Sequence, residues 1–420
     1  MIKKLLKFTV ELAALVLLTG AAVFCGGFTL HLPKGVKVNG TDVGGLSRDG
    51  AIELLRQTQV EYLSGKALRI CADEQVYEYS YPEINFTDNF SQTVNGIKKK
   101  GEYTAEVNYY LNGESQIADY ILMAIERDAK EPYCTFNRAG APFTYYSGER
   151  GYVCDRDKLI KDINRSLEGG FEEVKLSVIA LSPKGSLKDV ENDTKELYSF
   201  TTYFDGANVG RAANIRLAAS KINGTILRSG EVFSFNGTVG ARTPENGFKQ
   251  AKIIQDGKYV VGYGGGVCQV STTLYNAAAL SGLQICEYHP HTLKVSYVAP
   301  SRDAMVSGSY YDLRFKNTRL TPIYIRTNCT FNSITCTLYG RPDGYAYSFN
   351  STVTGKIPKP KAVEIYGEEN GVISYGWEGT LSEGSVIKTK DGVSKVALYR
   401  KDSYAPAADV VTIKRNSLLP

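Results

Sequence analysis

The sequence predicts an α+β protein of several domains behind one amino-terminal transmembrane helix. Three observations carry this. A lysine-flanked apolar stretch opens the 420-residue chain. Behind it, two-residue alternation typical of strands is interleaved with helical spacing. The last 80 residues, 341–420, are β-rich, with Lys390-Asp391-Gly392 as a hairpin turn. The composition, 43% apolar and 22% charged, excludes wholesale disorder and a multi-span membrane protein. Tyrosines outnumber phenylalanines 29 to 16, which suits sheets with one wet face.

Lys3, Lys4 and Lys7 precede the apolar residues 8–32, and from Leu12 to Leu30 there is no charge. That approaches the ~20 residues of a membrane-spanning helix. With the lysines in residues 1–7 held in the cytoplasm, the chain is expected to be a single-pass protein of the cell membrane with its bulk outside. A cleaved signal peptide is the rival, but no A-x-A site follows; a lipoprotein signal would use Cys25, and Phe24 stands where a small residue is required. The net charge of +5 includes +2 from this end, which leaves a nearly balanced body. The densest basic run, Lys98-Lys99-Lys100, reads as a helix C-terminus before Gly101, so no nucleic-acid partner is expected.

At ~100–200 residues per domain, the exported body holds two or three domains. Val36 to Leu46 reads as a short strand and turn, and Ser47 caps a helix bearing Ala51, Leu54 and Leu55. Strands follow at Leu68–Ala72 and Val76–Tyr81. Phe90, Val94 and Ile97 mark one helix, and Ile117, Ile121, Leu122 and Ile125 another. Tyr77–Ile97 is echoed by Phe143–Leu167, whose helix Asp155 caps; the order strand, turn, helix suggests a duplicated unit. The VNGTDVGGLSRDGA segment and this pair make residues 36–180 resemble the peptidoglycan-binding module found beside exported cell-wall domains. A spacer role fits equally. Residues 181–198 are polar, with Pro183 and Gly185, and read as a linker.

Residues 200–327 carry the chemistry. Gly264-Gly265-Gly266 permits a tight turn, and Val267, Val270, Leu274, Ala277 and Ala278 then follow helical spacing. Cys268 falls in the first turn of that helix, where free N–H groups and the macrodipole favour a thiolate. Nearby N–H groups, with the Gln269 side chain, could hold an oxyanion. A base must come from elsewhere, and the chain has only His31, His289 and His291. The last two open a segment, Thr292–Val298, that alternates like a strand. Asp303 and Asp312 are open alternatives for the acid that orients His291. The bland reading is a small buried cysteine under a glycine turn, with a histidine capping a strand end. A zinc site from Cys268, Cys286, His289 and His291 has no familiar spacing, and no metal or other cofactor is expected. A hairpin around Asn332-Ser333 would set Cys329 opposite Cys336, and Cys134–Cys154 is a second possible disulfide.

The runs RAANIRLAASKING, SGEVFSFNGTVGARTPENGFKQA, GYGGGVCQVSTTLYNAAALSGL, HPHTLKVSYV, SRDAMV and YYDLRFKN make residues 199–340 resemble the VanW family closely. The resemblance implies an envelope protein, in some cases associated with glycopeptide resistance, with peptidoglycan or its peptide stems as partner. The family's motif residues fall here on Cys268, Gln269, His291, Asp303 and Asp312. The chain departs at Ser229 (usually proline), Tyr288 (often arginine) and Ser301 (usually glycine). The tail resembles a shortened G5 domain. Two functions follow as expectations: a thiol-dependent hydrolase or transpeptidase using Cys268 and His291, or a non-catalytic wall-binding scaffold.

Overall fold

The computed structural model describes residues 31–72, 74–255, 258–308, 310–367 and 371–414. The expected transmembrane segment, residues 8–32, lies almost wholly outside them. The expected fold class needs correction: the described chain is a mixed, sheet-rich architecture, and among the described residues no helix is long and apolar enough to cross a membrane. The chain divides into two compact units.

The first unit comprises the described residues up to Asp128 together with Gly151–Leu181. Val36–Val38 pairs antiparallel with Thr41–Asp42 and parallel with Gly101–Tyr103. The helix Arg48–Ser64 starts at Ser47, whose hydroxyl accepts from Gly50 N at 3.1 Å. Its Ala51 and Leu55 bury against Val36, Val38, Phe90 and Val94. A second core gathers Leu68, Ile70 and Ile84 under the helices Glu114–Ile125 and Arg156–Glu168. Each such aliphatic side chain contributes about 1.5–3 kcal/mol by leaving water. The triple lysine lies beyond its helix, which ends at Gly96, and Gly101 opens a strand rather than capping. The echo does not fold as a second copy: Phe143–Tyr146 pairs with Tyr133–Phe136 in the other unit, where Phe136 and Phe143 pack on Tyr324.

The second unit comprises Ala129–Arg150 and the chain from Ser182 onward. The region read as a linker contains a helix, Leu187–Asn192, closed by a Ser186–Asp189 capping box. The unit is built on β1 (Lys195–Tyr203), α1 (Val209–Ile222), β2 (Thr225–Leu227), α2 (Val267–Leu280), β3 (Ile323–Cys329) and β4 (Ser333–Gly340), followed by β5 (Ala346–Ile357), β6 (Gly379–Lys390) and β7 (Val393–Tyr404). The first four strands form an antiparallel sheet in the order β1-β4-β3-β2. Inward residues Ile323, Ile325, Ile334, Cys336 and Leu338 alternate with polar outward ones and meet Ile215 and Ala218 of α1 and Leu274 and Ala277 of α2. Strands β5, β6 and β7 form a meander. Asp391 and Gly392, with φ of 51° and 77°, make its tight turn, as the sequence pattern suggests.

The cysteine expectations change as well. The β3–β4 turn sits at Phe331-Asn332, with Thr330 N donating to Ser333 O, one residue earlier than expected. The register therefore sets Cys329 opposite Ile334 and Cys336 opposite Thr327. Cys134, Cys329 and Cys336 are free thiols, so neither expected pairing forms.

Candidate active site

Helix α2 is buried on every side, as expected of a helix without a solvent face. Three of its polar side chains fix another loop. Asn276 Nδ2 donates to Arg302 O at 2.7 Å, Ser271 Oγ donates to Ala304 O at 2.6 Å, and Thr272 Oγ1 accepts from Ala304 N at 3.0 Å. Asp303, between these anchors, is thus clamped to the helix that carries Cys268.

The glycine turn presents the thiol. Gly264 and Gly266 have φ of +84° and +102°, a region that disfavours any side chain. Val267 N donates to Gly264 O and Gln269 N to Gly266 O, so Cys268 lies in the first turn of α2. It is half-buried, and its sulfur lies 3.3 Å from Val306 O.

His291 is not on a strand. The preceding strand ends at Glu287, Pro290 intervenes, and 288–300 run irregularly. Their backbone groups bond outside any ladder: His291 N donates to Asp303 Oδ2 at 2.7 Å, and Thr292 O accepts from Ala405 N at 2.7 Å. The ring Nδ1 lies 2.7 Å from the same Asp303 oxygen, and the ring stands close enough to the Cys268 thiol that each shifts the other's ionisation. With Nδ1 on the carboxylate, Nε2 is the nitrogen left to exchange a proton with the sulfur.

Asp303 is fully buried, and its charge is met on every side. Tyr404 Oη donates to Oδ1 at 2.6 Å, and Arg400 Nη2 stands 3.6 Å from the same atom. Arg400 also donates from Nη1 to Asp303 O and from Nε to Asp402, and its guanidinium lies over the ring of Tyr288. Burial alone would raise the Asp303 carboxyl; the hydrogen bond and charge of His291, the charge of Arg400 and the Tyr404 hydroxyl bring it below the usual range. Burial would likewise depress His291, but Asp303 and Cys268 raise it to about 9. Burial opposes ionisation of Cys268, and the hydrogen bond and charge of His291, followed by Arg242, bring it below an ordinary thiol. Each group therefore favours the charged form of the other.

Ser301 sits at φ +59°, where an L-residue is strained. Tyr404 Oη accepts from Ser301 N, and Ser301 Oγ bonds Ser382 Oγ, both at 2.7 Å, so strands β6 and β7 hold this turn.

The structure brings Cys268, His291 and Asp303 together and places Asp312 elsewhere. Asp312 accepts from Ser234 Oγ at 2.6 Å and Asn236 N at 2.8 Å, closing the start of a short helix. Gln269 does not offer its amide to an oxyanion. Its Nε2 donates to Thr202 Oγ1 and Tyr203 O, and its Oε1 accepts from Arg211 Nη2 at 2.6 Å. Cys286 and His289 have separate local partners, Gln284 O and Glu287, and among the described residues no His, Cys, Asp and Glu cluster is arranged for a metal. Sequence reasoning misses Arg211, Arg242, Arg400 and Tyr404. For the last two no local signal exists, since they reach Asp303 across about a hundred residues of chain.

Fold and site define a mixed, sheet-rich domain that presents a cysteine, a histidine and an aspartate at the start of a buried helix. Residues 210–339 match the family model described as "VanW like protein". It is 45% identical over 146 residues to "Uncharacterized protein YoaR" of Bacillus subtilis (strain 168), covering 35% of this chain and 48% of that one. It is 29% identical over 142 residues to "Vancomycin B-type resistance protein VanW" of Enterococcus faecalis (strain ATCC 700802 / V583), covering 32% of this chain and 48% of that one. The chain thus spans about half the length of these curated relatives. No solved structure matches. Arg400, Asp402, Tyr404 and Ser382 all lie beyond the family match.

Proposed function

We propose that the domain is a thiol-dependent acyl-transfer enzyme acting on peptide or amide bonds of peptidoglycan, with Cys268 as nucleophile, His291 as acid and base, and Asp303 as its orienter. The observation that carries this reading is the convergence of thiol, imidazole and a buried carboxylate, the last two joined by a 2.7 Å hydrogen bond. A purely structural cysteine needs no such partners.

In the first step the Cys268 thiolate attacks the amide carbon. A carbon–sulfur bond forms, the carbon–nitrogen bond breaks, and the amine leaves with the proton of the His291 imidazolium. In the second step water attacks the thioester and returns a proton to His291; the carbon–sulfur bond breaks, giving the carboxylic acid and the thiolate. An amine in place of water makes the reaction a transpeptidation. The Cys268 N–H, which meets no acceptor among the described residues, is available to the developing oxyanion.

Two features support a wall substrate and a location outside the cytoplasm: the resemblance of residues 36–180 to a peptidoglycan-binding module, and the vancomycin-resistance name of the enterococcal relative. The test is incubation of the full chain with purified peptidoglycan, followed by analysis of the released muropeptides. New products should vanish in Cys268→Ala and His291→Ala. Peptidoglycan pull-down that survives Cys268→Ala, with no change in muropeptides for the unaltered protein, would refute catalysis and leave a wall-binding scaffold.

A further inference from the structure

The glycine turn that presents Cys268 is also the bed for two arginine stems. A Cβ at Gly264 would stand 2.8 Å from Arg242 Cβ and 2.9 Å from its Cγ. A Cβ at Gly266 would stand 2.9 Å from Arg211 Cγ. The turn is therefore glycine for a second reason: only without side chains can these stems lie against it. One arginine comes from α1, the other from the loop after Val239, so two separate elements converge on the nucleophile.

Both guanidinium groups are held by neutral oxygens. Arg211 Nη2 donates to Gln269 Oε1 at 2.6 Å, and Arg242 Nη2 donates to Asn236 Oδ1 at 2.5 Å. Gln269 is locked in turn by its bonds to Thr202 and Tyr203. Neither arginine forms an ion pair with a carboxylate among the described residues, whereas the deeper Arg400 has Asp402 and Asp303. Both are half-buried, and the charge of each is felt at the Cys268 sulfur. A partly desolvated guanidinium fixed by an amide and lacking a carboxylate is arranged to receive one, through paired N–H groups.

Resting on the acyl-transfer reading, we propose that Arg211 and Arg242 form a carboxylate-recognition pair, which selects peptides bearing a free carboxylate beside the scissile amide. Gln269 and Asn236 are its positioning residues: they aim the guanidinium groups and have no part in bond making.

The pair can be tested without knowing the substrate. Iodoacetate and iodoacetamide alkylate the same thiolate but differ in charge, so their rate ratio at Cys268 reports anion recruitment and cancels the thiolate population. In the full chain the ratio should exceed that of N-acetylcysteine. It should fall by at least roughly five- to tenfold in Arg211→Gln and in Arg242→Gln, the effect of removing one charge about 4 Å from an anion at the dielectric of water. Arg211→Lys and Arg242→Lys should retain much of the ratio, and these variants separate loss of charge from loss of fold. A second measurement uses Cys268→Ala, in which N-acetylglycine should raise the melting temperature, and the shift should be lost when both arginines are changed to glutamine. An unchanged reagent ratio in the glutamine variants, or an equal melting shift with and without the arginines, would overturn the carboxylate pair. A Cys268 inert to both reagents would instead overturn the acyl-transfer reading, and the N-acetylglycine measurement would still decide the pair.

Discussion

Replacing Asp303 with asparagine removes one charge from the centre of the site while keeping nearly the same shape. In the native chain that carboxylate accepts 2.7 Å bonds from the His291 ring and backbone N–H and a 2.6 Å bond from Tyr404. A hydrogen bond between charged partners contributes about 1.5–3 kcal/mol, or roughly a tenfold to hundredfold change in an equilibrium constant. Without it, burial should pull His291 down from about 9, and the thiolate that leans on the imidazolium should recede with it. The assay is the pH dependence of iodoacetamide labelling of Cys268. At about pH 6 the labelling rate in Asp303→Asn should fall at least tenfold, while at strongly alkaline pH it should approach the native rate, because any thiol is then ionised. A labelling profile that overlays the native one would show that Asp303 does not govern the pair, and the proposed chain of groups would fail.

Tyr404→Phe removes the hydroxyl that donates to Asp303 Oδ1 and accepts from Ser301 N; denaturant unfolding should register a loss of about 1–3 kcal/mol, the range for a buried polar group left without its partner, and Cys268 labelling near pH 6 should slow less than in Asp303→Asn. Asp312→Ala takes away the acceptor for Ser234 and Asn236; it should lower the melting temperature and leave the labelling profile unchanged, and any profile shift would reinstate Asp312 as an orienter. Gly266→Ala forces a side chain to φ +102° and against Arg211 and Ile215; about 1–3 kcal/mol of stability should be lost, measured by thermal unfolding. For the native chain, His291 is raised from 6.5 to about 9, so its contribution, on the order of 3 kcal/mol, is complete below pH 6.5 and is lost as pH rises through about 9. Asp303 is depressed, so its contribution is present above the ordinary carboxylate range and is lost as pH falls through its folded value. Melting temperature against pH should therefore decline on both the alkaline and the acid side.

The parts of the site that local chemistry determines could be read in the sequence. Cys268 follows a glycine turn and opens an apolar helical run, and both features are set within a few residues. Helix starts at Ser47 and Asp155 were readable for the same reason, since each cap bonds an N–H three residues on. The choice between Asp303 and Asp312 was not local. Both stand in polar turns, and what separates them is that Tyr404 and Arg400 return from β7 to surround the first. The alternation of Thr292–Val298 was misleading because neighbouring groups bond to Asp303 and Ala405 and form no strand ladder. The β3–β4 register slipped because one residue of turn placement moves every cross-strand pair. The first residues of the chain show the remaining limit: hydropathy suggested a span there, and no helix among the described residues supports one.

The charges of the site settle how its parts depend on one another. Arg400 is enclosed by Asp402 and Asp303, so the deep half of the cluster carries one net negative charge. His291 balances the Cys268 thiolate when both are ionised. Arg211 and Arg242 then remain as cations whose hydrogen-bond partners are neutral amides. The excess positive charge therefore lies beside the half-buried sulfur. The deep anions keep the histidine protonated, the histidine keeps the cysteine ionised, and the two outer arginines leave the reacting end of the site ready to receive an anion. Strand β7 is the base of this sequence, although it lies outside the stretch that matches the family. Removing the strands after β4 should therefore slow iodoacetamide labelling of Cys268 near pH 6 without touching Cys268, His291 or Asp303, and the carboxy-terminal meander belongs to the candidate site as much as α2 does.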